Sequence, residues 1–189
     1  MATDRLAFIP WNESQAGNFK TEYEINQANR GTSHHKRKWS IVYLDSPGKP
    51  LADIGFGFGT RICVAGHGNI GWDSIAADHG TGGANRSYTE VVELMFQKGL
   101  KKRYVGTIAC DVCYSALGSP PFAKLLAREL WKSGVKASCV LGYKASMYAQ
   151  YYNWSGGKYT HRVVDSQDKD GNAIKVKTKD MQERFYGWT

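Results

Sequence analysis

Between residues 60 and 141 the chain alternates short apolar runs with amphipathic stretches, and this alternation constrains its fold more than any other feature. Thr60–Gly66, Tyr104–Ala109 and Val135–Leu141 are apolar runs of strand length. Between the first two, Ser87 and Glu90 precede Val91, Leu94 and Met95. That is the pattern of a capping box, in which the Ser hydroxyl serves an orphan amide and the Glu reaches back. Between the second and third, Phe122, Leu125, Leu126 and Leu130 recur at helical spacing. This helix is expected to take Ser119 as its cap and Pro120 as its first residue. Lys98-Gly99 and Ser133-Gly134 supply the stops. Strand, helix, strand, helix, strand predicts a parallel sheet joined by right-handed crossovers.

The flanks read differently. Residues 1–38 are polar and show little periodicity, so they are expected to form an N-terminal arm, partly irregular, with at most a short strand at Leu6–Ile9. Residues 39–189 then form the single main domain, opening with a strand at Trp39–Leu44 and a turn at Ser46–Pro50. The stretch Gly68–Arg86 is Gly-rich and reads as too polar for core. Tyr159–Val164 and Ala173–Lys177 flank the turn-rich Asp168–Asn172, which predicts a C-terminal β-hairpin over about 159–178. At 189 residues the chain can bury a proper core. No stretch approaches the roughly 18 uninterrupted apolar residues of a membrane span. Met1–Pro10 lacks a basic segment followed by a long apolar one, so no secretory signal is read there.

Net charge is +8, concentrated in His34–Lys38, Lys98–Arg103 and Lys169–Lys179. Such runs are either solvated faces or a surface for a polyanion or acidic partner. No nucleic-acid signature accompanies them, so nucleic acid is not the expected partner. Of the four cysteines, Cys63 and Cys139 lie inside apolar runs, where a free thiol behaves as a small hydrophobe. Their spacing is not a disulfide framework, which favours a reducing compartment.

Open α/β sheets place their sites outside the carboxyl ends of their strands. Two of the apolar runs end there in reactive residues: Arg61–Gly66 in His67-Gly68, and Tyr104–Ala109 in Cys110. Cys110 is the first candidate nucleophile, and His67 the group that takes or gives its proton. The amides of Gly68 and Cys110 would stabilise the developing oxyanion, with Gly68 allowing substrate to approach the backbone. Cys113 makes a CxxC with Cys110, readable as a redox pair, as half a zinc site, or as an alternative nucleophile. No second CxxC or CxxH exists to complete a metal site. Asp73, Asp78 and Asp111 are acidic residues near the expected cleft that would select a basic substrate side chain. Asp78-His79-Gly80 is a second, less strand-like His-Gly. Asp168, Asp170 and Asn172 alternate like part of a calcium loop but read better as a hairpin turn. Gly55–Gly59 precedes no helix and is a poor phosphate loop.

A strand ending in His67-Gly68, followed by a strand ending in Ala109-Cys110, resembles the caspase, gingipain and clostripain clan of cysteine peptidases. The run Ser119–Leu130 followed by Val135–Leu141 is similar to the self-cleaving cysteine peptidase domains of secreted bacterial toxins. The resemblance implies a three-layer α/β sandwich with a mostly parallel sheet, extended by the β-hairpin. It implies a cysteine endopeptidase acting through a His67–Cys110 dyad and an acyl-enzyme, with a protein or peptide substrate. It further implies a polyanion activator such as inositol hexakisphosphate, and the role of a bacterial effector, cytoplasmic or delivered to a host cell without a signal peptide. Two other readings of the residues remain: an inactive module of the same fold that binds a protein or polyanion, and a thiol-redox or zinc protein built on Cys110 and Cys113.

Overall fold

The computed structural model describes residues 5–17, 19, 21, 39–55, 57–77, 84–136, 138–147, 151–152, 161–167 and 169–188. Its strands are β1 (Arg5–Ile9), β2 (Ser40–Tyr43), β3 (Arg61–Ala65), β4 (Ser74–Ala76) and β5 (Asn85–Ser87). Helix α1 (Tyr88–Gln97), strand β6 (Thr107–Asp111), helix α2 (Phe122–Lys132) and strand β7 (Cys139–Tyr143) follow. The chain ends with β8 (Tyr151–Tyr152), β9 (His161–Gln167), β10 (Ala173–Lys177) and β11 (Gln182–Phe185).

Six of these strands form one sheet in the order β11-β7-β6-β3-β1-β2. All its pairings are parallel except that of β11 with β7. From β1 the chain builds outward in two directions, to β2 on one side and to β3, β6 and β7 on the other. The strand order therefore has a switch point between β1 and β3, and open α/β sheets place a crevice at the carboxyl end of such a point.

This is the mostly parallel α/β architecture the alternation predicts. Helices α1 and α2 pack on each other. Val91, Val92 and Met95 of α1 and Phe122, Leu126 and Leu130 of α2 join Ile62, Val64 and Ile108 of the sheet in the main core. A smaller cluster of Cys63, Ala109 and Leu141 packs against Trp39. Strands β9 and β10 form the expected antiparallel hairpin, with Gly171 in its turn at φ +83°. A Gly takes that conformation without the Cβ clash another residue would meet. No described helix is long and apolar enough to cross a membrane.

Four expectations need correction. The boundary at residue 38 does not separate an arm from the domain. Strand β1 lies between β2 and β3, and Trp11 and Phe19 also belong to the core. Its Leu6–Ile9 run is buried throughout, because a parallel strand covered on both faces is continuously apolar and shows no alternation. The Gly68–Arg86 stretch contributes β4 and β5, which pair antiparallel, and Ile75 is fully buried. Helix α2 begins at Phe122 with Pro121 as its cap, not at Pro120 behind Ser119. The orphan amide of Ala123 donates instead to the Ser115 carbonyl at 2.9 Å. Finally, β6 spans Thr107–Asp111, whereas the apolar run pointed to Tyr104–Ala109. That displacement moves the end of the strand past Cys110.

The first helix forms as its cap predicts. The Glu90 amide donates to Ser87 Oγ at 3.3 Å, and Glu90 accepts the Ser87 amide at 2.9 Å. These Ser87 hydrogen bonds, the backbone one foremost, hold the Glu90 carboxyl below its ordinary pKa. Ser87→Ala should cost about 1 kcal/mol and lower the melting temperature by about 2–4 °C. Thermal unfolding followed by circular dichroism measures this, and an unchanged melting temperature would show that the cap contributes nothing to the fold.

Candidate active site

The carboxyl ends of β3 and β6 emerge side by side. Their parallel register runs from Arg61 opposite Thr107 to Ala65 opposite Asp111, with Val64 opposite Cys110. The Gly66 amide then donates to the Asp111 carbonyl at 3.4 Å. His67 lies two residues beyond Ala65, and Cys113 lies two residues beyond Asp111. The two chains thus carry His67 and Cys113 equal steps past their last paired residues. Gly68 confirms the contact beyond the strands: a Cβ there would collide with Val112 and stand 3.1 Å from the Cys113 carbonyl oxygen. Only a residue without a side chain lets the two loops approach so closely.

His67 is held from both sides. Its amide donates to the Ala76 carbonyl, and its carbonyl accepts the Ala76 amide, each at 2.9 Å. Its ring stacks on Phe19, with centroids 4.6 Å apart and planes at 29°. Phe19 follows β1, so the histidine sits at the switch point of the sheet. The residue is 8% exposed. Gly66, just before it, accommodates Ile75 of β4, whose side chain would lie 2.9 Å from a Cβ.

Cys110 and Cys113 stand in opposite situations. Cys110 is inside β6, 0% exposed, and belongs to the main core with Ile62, Val64 and Ile108. Burial, then the ionisable neighbours Cys63 and Asp111, push its thiol well above the ordinary range. A thiol buried away from solvent, with its ionisation disfavoured, is a poor nucleophile. The expected nucleophile Cys110 is thus found in the core rather than in a cleft, and the cause is the strand boundary: β6 runs on to Asp111, so Cys110 is still inside the strand. Cys113 lies on the loop after β6 and is partly exposed. Its Sγ accepts the Met147 amide at 3.2 Å and lies 3.6 Å from Ser146 Oγ. These contacts fix its rotamer. The CxxC therefore sets one core thiol beside one loop thiol in sequence, and none of the four cysteines is in a disulfide. No group of three or more His, Cys, Asp or Glu side chains among the described residues is arranged to hold a metal.

The loop after Cys113 is a strained turn pinned in place. Tyr114 has φ +55°, a left-handed conformation that costs a non-Gly residue about 1–3 kcal/mol. Its amide donates to the Ala145 carbonyl at 3.1 Å. Ser115, buried, is the centre of the restraint. Its Oγ accepts the Tyr143 amide at 3.1 Å and donates to the Cys110 carbonyl at 3.4 Å. The Ala116 amide returns to the Tyr143 carbonyl at 3.0 Å. Sequence reasoning missed Ser115, Tyr114 and the Ala145–Met147 segment. The visible signal was the polar Ser115 between Tyr114 and Ala116, a hydroxyl in an otherwise small and apolar turn.

Among the acidic candidates, Asp73 is exposed at the rim and Asp111 ends β6. Asp78, His79 and Asp168 lie outside the described residues. Asp170 and Asn172 are exposed in the hairpin turn.

No protein-family model matches the sequence, and no curated protein does. Among solved structures, the chain is similar to a secreted C11 cysteine protease from Bacteroides thetaiotaomicron, solved in complex with an irreversible peptide inhibitor. The TM-score is 0.42 and the identity 10%, over 96% of this chain and 68% of the other. So remote a likeness transfers no residue roles.

The two thiols should separate chemically. Iodoacetamide applied to the folded protein at pH about 8.5, near the pKa of a free thiol, should alkylate Cys113 and spare Cys110. Peptide mapping by mass spectrometry reads the outcome, and modification of Cys110 at the rate of Cys113 would contradict the burial.

Proposed function

We propose that this protein is a cysteine peptidase with Cys113 as nucleophile and His67 as general acid and base. The observation that carries this reading is the β3–β6 register, which delivers a histidine and a partly exposed cysteine equal steps beyond adjacent strand ends, with Gly68 against Cys113. Nucleophile and base on neighbouring rigid strands are the arrangement that thiol catalysis needs.

The chemistry proceeds in two halves. Cys113 Sγ attacks the scissile carbonyl carbon while its proton passes to His67. The carbonyl electrons move onto oxygen, where the amides of Gly68 and Cys113 donate to the oxyanion. The oxyanion role first assigned to the Cys110 amide moves with the nucleophile. Collapse breaks the carbon–nitrogen bond, and His67 gives its proton to the leaving amine. Water, deprotonated by His67, then attacks the thioester and releases the carboxylic acid and the thiol. Phe19 holds the imidazole plane, and Ser115 holds the turn that aims Cys113; both are positioning residues. Asp73 and Asp111, the described members of the expected acidic set, would select a basic substrate side chain. A polyanion activator such as inositol hexakisphosphate would use basic residues outside this site. In the described run Lys98–Arg103, Lys98 and Lys101 already donate to the Ser46 and Ala52 carbonyls, each at 2.7 Å. The exposed Lys102 is then the first contact to test.

Cys113→Ala should abolish cleavage of a denatured-protein substrate, a loss of at least about 1,000-fold. Cys110→Ala should retain cleavage and lose only about 1 kcal/mol of stability from the small core cavity. Assays with and without inositol hexakisphosphate, alongside thermal melts, measure both. Retained activity in Cys113→Ala, or complete loss in a folded Cys110→Ala, would refute the assignment. If neither the parent nor any variant cleaves under either condition, the binding-module reading takes its place.

A further inference from the structure

Two large apolar side chains stand out of the loop that leaves His67. Ile70 is 57% exposed and Trp72 is 45% exposed, while the other exposed large apolar side chains among the described residues, Phe58, Ile174 and Trp188, lie on separate segments. Singly exposed apolar residues are ordinary on a soluble protein. Two within three residues, on the loop that abuts the Cys113 loop, mark a candidate contact surface.

The loop is fixed to the nucleophile's own loop at both ends. At one end Gly68 abuts the Cys113 carbonyl. At the other the Gly71 amide donates to the Leu117 carbonyl at 3.2 Å, and a Cβ on Gly118 would lie 2.7 Å from Gly71 Cα. Between these points Asn69 makes a turn: its Oδ1 accepts the Ile70 amide at 2.8 Å and its carbonyl accepts the Trp72 amide at 3.3 Å. Ile70 and Trp72 are therefore presented from a braced rim running alongside residues 113–118. A rigid aromatic side chain on such a rim offers contact area at little cost in conformational entropy.

The chemistry also says which half of a substrate they face. A general acid must stand beside the atom it protonates. In the proposed mechanism His67 protonates the leaving amine, and the loop carrying Ile70 and Trp72 begins just beyond it. We infer that Ile70 and Trp72 form an apolar subsite for the residue just after the scissile bond. The substrates are then peptides carrying a bulky apolar side chain there. This inference rests on the peptidase reading and goes beyond it by naming a substrate class.

The test begins with the full chain and a proteome-derived peptide mixture, whose cleavage sites are mapped by mass spectrometry. In parallel, a peptidyl ketone electrophile labels the nucleophile. The sites should be enriched in Leu, Phe, Met or Val immediately after the cut. Matched peptides with Leu or Gly at that position then give a ratio of kcat/KM values. Trp72→Ala should reduce this ratio about tenfold, the scale of discrimination in an apolar pocket. Trp72→Phe should restore it, which a merely structural role for the side chain would not require. A parent enzyme that cleaves without this enrichment, or a ratio unchanged in both Trp72→Ala and Ile70→Ala, overturns the subsite alone. Neither labelling nor cleavage in the parent overturns the peptidase reading and the subsite with it.

Discussion

The parallel pairing of β3 with β6, and the point at which each strand stops, is the constraint on which the rest of the site depends. A slip of one residue would move every side chain to the other face of the sheet, and the two faces pack differently: Ile62, Val64 and Ile108 belong to the main core, whereas the smaller Cys63 and Ala109 pack against Trp39. With Ala65 opposite Asp111, the chain leaves both strands at the same level. The placement of the candidate residues follows from that level. His67 and Cys113 come out together, and Cys110 stays inside.

Around this pairing, the loops are restrained by groups that would otherwise be orphaned. Strand β4 returns along His67 and exchanges two backbone hydrogen bonds with it through Ala76. The turn after Cys113 holds Tyr114 in a left-handed conformation, a strain that persists only because its surroundings over-determine it. Ser115 supplies much of that determination, joining the Cys110 carbonyl to the Tyr143 amide while its own carbonyl caps α2. Helix α2, β7 and the cysteine loop are thereby one mechanical unit. The free energy of burying a small polar residue is offset because its hydroxyl both donates and accepts.

Much of the fold was legible in the residues. The capping box at Ser87 and Glu90, the apolar face of α2, the hairpin around Gly171 and the parallel alternation all work through local chemistry, and local chemistry is written in sequence. What was not legible is non-local. The run Leu6–Ile9 became an interior strand because two other strands flank it, and a segment of four apolar residues within a polar stretch does not announce its neighbours. That Cys110 lies in the core was hidden for a related reason. Apolarity marks where a strand is buried, and Asp111 looked like the start of a loop. Its backbone still pairs with Ala65, so the strand runs on and the first exposed cysteine is the second of the CxxC. That His67 and Gly68 lie just past the end of β3 was legible, because His-Gly at the end of an apolar run needs no knowledge of register.

The most direct test of the central claim is a crystal structure of the protein after reaction with an irreversible peptidyl ketone. The account predicts a covalent bond from Cys113 Sγ to the inhibitor, the His67 ring beside the leaving-group position, and Cys110 unmodified in the core. A bond to Cys110, or an adduct at Cys113 with His67 remote from it, would contradict the account.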